Sequence, residues 1–198
     1  GYFLLAFGLL CIGFYLKIKT HFLVKYMNIT NYEFKAKVDC LEPYETKLLK
    51  LNPEFKGTDH QIDTYFNVSK GRLKLREGTI ENSLINYNRE DLKDSKLSDI
   101  ILYQHEPNKA LKQILTLQLG VKICVDKLRK IYFIDNVKFH FDIVKDLGTF
   151  IEVEAIDTVG NIPIEKLKEQ CDYYFNYFEL NKLQVIDKSY SDLLEPKN

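Results

Sequence analysis

The stretch Gly71-Arg72-Leu73-Lys74-Leu75-Arg76-Glu77 (GRLKLRE, residues 71–77) alternates cation and leucine. A period of two marks a β-strand with one polar and one apolar face. Polar faces normally mix charges, but this one sets Arg72, Lys74 and Arg76 on the same side. Like charges at that spacing repel, so the strand predicts an anion in front of them.

Composition says that such an anion is met locally. The 198 residues suffice for one domain with a core, and 28 Lys and Arg balance 28 Asp and Glu. A neutral chain gives no bulk attraction for nucleic acid, so no nucleic-acid partner is expected. Cys11, Cys40, Cys124 and Cys171 form no CxxC pair and read as reduced thiols of a cytoplasmic protein. The four histidines lack HxH or HExxH spacing, which argues against a histidine-based zinc site.

Residues 1–16 (GYFLLAFGLLCIGFYL) carry no charge but fall short of the roughly 20 apolar residues that span a bilayer. Lys17, Lys19 and Lys25 follow and would hold the remainder on the cytoplasmic side. Three readings stand for residues 1–26: a membrane tether, a piece of core, or an extension outside the working domain, which then spans 27–198. The sequence leaves the oligomeric state open, a homodimer included.

From Met27 onward no linker or repeat divides the chain. Strands are predicted at 31–38, 61–68, 72–77, 83–90, 121–130, 131–136, 137–144 and 149–156, with a charged loop from Asp91 to Asp99. Helices are predicted at 43–51, at 108–119, and from Pro163, where Ile164, Leu167, Cys171, Phe175 and Phe178 form one stripe. For any single strand, a charged face in water is the ordinary reading. Here five strands share the bias. Glu33, Lys35 and Lys37, then Arg72, Lys74 and Arg76, then Lys127 and Arg129, then Lys138, His140 and Asp142, then Glu152 and Glu154 all lie opposite apolar residues. The pattern predicts an α+β fold: a closed antiparallel eight-stranded barrel with a charged lumen and helices covering its outer face.

Such a lumen would hold eight Lys and Arg against four Asp and Glu. A linear polyphosphate suits the surplus, because Lys and Arg are its usual ligands. The carboxylates instead suit Mg²⁺ or Mn²⁺, which joins carboxylate to phosphate. Glu152 and Glu154 share one strand face, with Asp142 on the preceding strand.

Five stretches resemble the CYTH superfamily, the triphosphate tunnel metalloenzymes: NYEFKAKV (31–38), QIDTYF (61–66) with GRLKLRE (71–77), VDKLRKIY (125–132), VKFHFDIV (137–144) followed by LGTFIEVEA (147–155), and SYSDLL (189–194). The wording is most similar to the bacterial class IV adenylate cyclase-like branch. The resemblance implies phosphate contacts from Lys35, Arg72, Lys74, Arg76, Lys127 and Arg129, and metal contacts from Glu33, Asp142, Glu152 and Glu154. Lys37 and Lys138 share the same faces and join the phosphate-facing set, and Arg89 is a further candidate near a position where many members place a cation. Lys35, Arg76, Lys127 and Arg129 are expected to act in catalysis. Lys96, Ser98 and Asp99 resemble a polar loop of the cyclase-like branch, and Ser189 and Tyr190 a segment that caps the tunnel. The family signature ExExK reads Asn31-Tyr32-Glu33-Phe34-Lys35 here, so a neutral amide replaces the first glutamate. The implied activity is conversion of ATP to cyclic AMP and pyrophosphate. The alternatives are hydrolysis of tripolyphosphate or thiamine triphosphate, and polyphosphate binding without catalysis.

Overall fold

The computed structural model describes residues 26–89 and 98–196. The apolar segment at residues 1–16 and Lys96 lie outside them, and of Arg89 only the backbone lies within. Thirteen elements follow in order: β1 (Tyr26–Val38), α1 (Glu42–Leu49), β2 (Glu54–Phe66), β3 (Arg72–Gly78), β4 (Ser83–Arg89), β5 (Ser98–Gln104), α2 (Lys109–Leu119), β6 (Val121–Ile134), β7 (Val137–Val144), β8 (Gly148–Asp157), α3 (Ile164–Tyr177), a 3-10 turn (Lys182–Gln184) and α4 (Tyr190–Leu194).

The strands pair antiparallel in a ring of order β1-β5-β4-β3-β2-β6-β7-β8. β1 closes it by sharing its length. Its first half pairs with β5 and its second with β8, and the two partners overlap only at Thr30 and Asn31. Closure is therefore narrow. The chain after α3 occupies the edge that β1 leaves, where Val185 bridges Ala36 and the Ile186 amide donates to the Lys35 carbonyl at 2.8 Å.

β1 starts at Tyr26 rather than 31 and β2 at Glu54 rather than 61, and two further differences change which strands exist. Residues 121–134 form one strand, because no Gly, Pro or Asn interrupts them where the outer residues turn from charged to aromatic. The eighth strand is Ser98–Gln104, which overlaps the expected loop. Its inward Ile100 and Leu102 line the lumen while Ile101 and Tyr103 face out, so both faces are apolar and no alternation betrays it.

The apolar outer faces of β1, β7 and β8 carry Phe34, Ala36, Val38, Phe139, Phe141, Ile151 and Val153. α1 and α3 cover them with Leu48, Leu167, Cys171 and Tyr174, and Phe178 follows just after α3. Pro43 starts α1 within its first turn, where the missing N–H costs nothing. Leu167 is fully buried, so truncation to Ala is expected to cost about 2–5 kcal/mol. α2 does not share in this covering. It is capped by Asn108, whose side chain accepts from the Ala110 amide, yet none of its residues is buried. Among the described residues no helix is long and apolar enough to cross a membrane.

Inside the barrel a second cluster of Tyr65, Ile85, Tyr87, Val125, Val144, Phe150 and Tyr190 fills one end. Tyr190 gets there because Ser189 caps α4. The Ser189 hydroxyl accepts from the Asp192 amide, and the Asp192 carboxylate accepts from the Ser189 amide.

Candidate active site

Alternation along β1, β2, β3, β6, β7 and β8 brings charged side chains into one cavity of about 480 Å³. Lys35, Lys74, Arg76, Lys127, Arg129, Lys138, Glu33, Glu152 and Glu154 all line it. β4 and β5 contribute no charge among their described side chains there. Their Ser83, Ile85, Tyr87, Ile100, Leu102 and Gln104 form a neutral wall.

The cations are not left to repel one another. Asp63 on β2 accepts from Arg76 Nε (2.8 Å) and Nη2 (3.0 Å), from Lys127 Nζ (2.7 Å) and from Lys74 Nζ (3.3 Å). Burial pushes the Asp63 carboxyl up, but Arg76, Lys127 and Lys74 together hold it well below the usual range. Three cations share this one carboxylate, and its upward pull on Lys127 is outweighed by burial. Burial and the charges of Arg76, Arg129 and Lys74 bring its ammonium down to about 7.

Glu81, on the β3–β4 turn, is a second internal anion. It accepts from Arg76 Nη1 (3.0 Å), Lys138 Nζ (2.5 Å) and Gln61 Nε2 (3.1 Å), and despite burial its carboxyl is lowered by Lys138 and Arg76. Asp59 holds the turn by accepting from the Ile80 and Glu81 amides at 2.8 and 3.0 Å. A Cβ at Gly78 would come within 2.6 Å of the Glu81 carbonyl and 2.7 Å of Asp59, so this close turn requires glycine.

The opposite corner is rich in carboxylate. Antiparallel pairing sets Glu33 beside Glu154 and Lys35 beside Glu152 across β1–β8, and His140 beside Glu152 across β7–β8. Lys35 Nζ lies 3.2 Å from Glu152, whose other oxygen accepts from Arg129 Nη2 at 2.7 Å. Glu154 receives no such pair of cations. Burial, then Glu152 and, more weakly, Glu33, push its carboxyl up to about 7. Burial, Arg129 and Lys138 press His140 down to about 3, so the ring is neutral. Crowded carboxylates beside a neutral imidazole form an oxygen- and nitrogen-rich donor set that fits a divalent cation.

Three expected residues fall elsewhere. Asp142, expected at the metal, accepts Arg129 Nε and Nη2 at 2.7 and 2.6 Å and the Tyr190 hydroxyl at 2.7 Å, which commits both its oxygens. Lys37 is exposed and lies 5.8 Å from the Phe150 ring. Phe150 and Tyr190, 4.9 Å apart, fill the barrel between it and Lys35, whose Nζ sits 4.3 Å over the Tyr190 ring. Arg72 lies beyond the same stopper. It donates to Ser189 Oγ (2.5 Å) and Asp192 (2.9 Å) and lines a separate cavity of about 170 Å³.

The sequence reading gave no role to Asp63, Glu81 or His140. Asp63 had a signal, since Asp63 and Tyr65 alternate into the lumen and Gln61, in the same phase, donates to Glu81. His140 stood between Lys138 and Asp142 on a face already read as inward. Glu81 sits in a turn and has no periodicity to reveal it.

Known proteins share this architecture. A Methanocaldococcus jannaschii protein provisionally named an adenylate cyclase is 27% identical over 172 residues, covering 81% of this chain and 96% of the relative. A Pyrococcus horikoshii structure superposes with a TM-score of 0.69 at 24% identity, covering 83% of this chain and 99% of that one. A Hippeastrum structure, described as an adenylyl cyclase candidate with a dominant triphosphatase activity, gives 0.56 at 13%, covering 84% and 94%. Residues 30–184 match the CYTH domain, and the chain belongs to the CYTH domain family.

Proposed function

We propose that the cavity binds the triphosphate of ATP and that the protein is an adenylate cyclase-like enzyme of the cytoplasm. One observation carries the reading: the lumen is divided between a cationic side and the neutral Ile85, Tyr87, Ile100 and Leu102 wall. An inorganic polyphosphate has no use for such a wall, whereas a nucleoside does.

In this reading Lys35, Lys74, Arg76, Lys127, Arg129 and Lys138 line up the phosphate oxygens. Catalysis is then mainly positioning and charge neutralisation. The ribose 3′ oxygen bonds to the α-phosphorus, the α–β bridging oxygen leaves with pyrophosphate, and the hydroxyl proton is released. Glu152 and Glu154, with Glu33 beside them, would hold Mg²⁺ or Mn²⁺, whose charge would offset that of the phosphates. The Phe150–Tyr190 stopper closes one end of the barrel and limits water there.

Incubating the purified protein with ATP and with tripolyphosphate, each with Mg²⁺ or Mn²⁺, tests the reading. Cyclic AMP with pyrophosphate is the expected product. Free phosphate would make the protein a triphosphatase, and binding without turnover a phosphate-binding module.

A further inference from the structure

We propose that His140 is a metal ligand, and that with Glu152 and Glu154 it builds a mixed imidazole–carboxylate site selective for transition metals over Mg²⁺. The inference rests on the metal-binding part of the function proposed above.

The geometry favours coordination over hydrogen bonding. His140 is 1% exposed, and its Nδ1 lies 3.4 Å from Glu152 Oε2 and 3.6 Å from Glu154 Oε1. Both exceed the 2.7–3.2 Å of a good N–H···O bond, and one ring proton cannot serve two carboxylates. Its Nε2 is buried without a partner among the described residues. The donor atoms of the three residues all lie within 4.8 Å of one another, so an ion ~2.1 Å from each needs only small side-chain shifts.

Asn31 adds a second, independent sign. It is 3% exposed and lines the same cavity, and its Nδ2 donates to Glu33 at 3.3 Å. Its Oδ1 is buried and accepts from nothing among the described residues. A buried amide oxygen without a donor suits a site where a cation, or water bound to one, supplies the missing partner. An amide in place of a carboxylate also removes one charge from the corner, leaving His140 to fill out the donor set. Mg²⁺ favours all-oxygen octahedra that retain water, whereas imidazole suits later first-row ions such as Zn²⁺, and affinity for Co²⁺ exceeds that for Mn²⁺ at such a site.

Pulsed EPR of Mn²⁺ bound to the full chain reads this directly. A ¹⁴N coupling from coordinated imidazole is expected, changing to ¹⁵N on uniform labelling and lost in His140→Gln. Calorimetry with Co²⁺ and Mg²⁺ separately is expected to show Co²⁺ weakened tenfold or more by His140→Gln, and Mg²⁺ less than threefold. Absence of nitrogen coupling in the unmutated protein, or an equal loss for both ions, would overturn the assignment. The labelling experiment needs no variant, so a misfolded His140→Gln does not blunt the test. Metal-free binding of tripolyphosphate, measured alongside, separates this inference from the function. Phosphate binding without nitrogen coupling sinks the ligand assignment alone, whereas nitrogen coupling without phosphate binding sinks the triphosphate reading.

Discussion

Arg129 and Asp142 face each other across the β6–β7 pair and join through two charge-assisted hydrogen bonds of 2.7 and 2.6 Å, with no solvent exposure at Asp142. Burial raises the Asp142 carboxyl, and Arg129 more than offsets this. A buried pair of this kind fixes geometry, and removing one partner strands the other. Asp142→Asn is therefore expected to lower unfolding free energy by about 3 kcal/mol in a urea titration. Metal affinity measured on the same variant should change little, whereas Glu154→Gln should abolish it. A large loss of metal affinity in Asp142→Asn would return that residue to the metal site.

Glu81 occupies Arg76 and Lys138 in the way a phosphate oxygen would. An entering polyphosphate must compete with it, so Glu81→Gln should bind tripolyphosphate more tightly, by roughly tenfold, which is ~1.4 kcal/mol. The same variant should be less stable when empty, because Arg76 and Lys138 each lose an anion. Calorimetric titration beside thermal unfolding checks both signs, and unchanged affinity would mean that Glu81 stays in place when phosphate binds.

Lys127 gives a pH dependence whose sign is fixed. Its folded value is down to about 7 from 10.5, so between those values the unfolded chain binds more protons than the folded one. Stability of the empty protein should therefore rise with pH across that window, by at most ~1.4 kcal/mol per pH unit from this one group. A bound triphosphate favours the charged ammonium, so tripolyphosphate affinity should fall over the same range. Lys127→Met should flatten both curves between pH 7 and 9.

How much was legible follows from periodicity. Wherever charged and apolar residues alternate, as in Glu33 to Lys37 or Arg72 to Arg76, the strand and its inward face can be read directly. β5 escaped because Ile100, Ile101, Leu102 and Tyr103 put apolar groups on both faces, one to a neutral wall and one to solvent. Phase alone also says nothing of depth. Arg72 and Lys37 share the inward phase of their neighbours, yet Phe150 and Tyr190 part them from the cavity. Counter-ions were the other blind spot. The cations of β3 were expected to repel in an empty lumen, but Asp63 and Glu81 neutralise them from β2 and from a turn.

That neutralisation alters what the opening stretch predicts for variants. Arg76 makes three bonds to Asp63 and Glu81, so Arg76→Gln should destabilise the empty protein and also lose phosphate affinity. Lys74 is held more loosely, by an ion pair of 3.3 Å to Asp63 and by the Tyr65 and Tyr87 rings 5.6 and 5.8 Å away, and is freer to turn to a ligand. Tripolyphosphate bound to the native state alone adds RT ln(1 + [L]/Kd), or ~2.7 kcal/mol at a hundredfold excess over Kd, and should raise the melting temperature clearly. Sulfate at equal ionic strength should raise it far less, since it cannot span Lys35, Lys74 and Lys138 at once. Lys74→Gln should shrink the shift. Arg72→Gln, two residues away on the same strand face, should leave it intact, because Arg72 serves Ser189 and Asp192 behind the stopper. Equal shifts from sulfate and tripolyphosphate would reduce the lumen to a screened cationic surface, and an Arg72 effect as large as that of Lys74 would mean the ligand reaches past Tyr190.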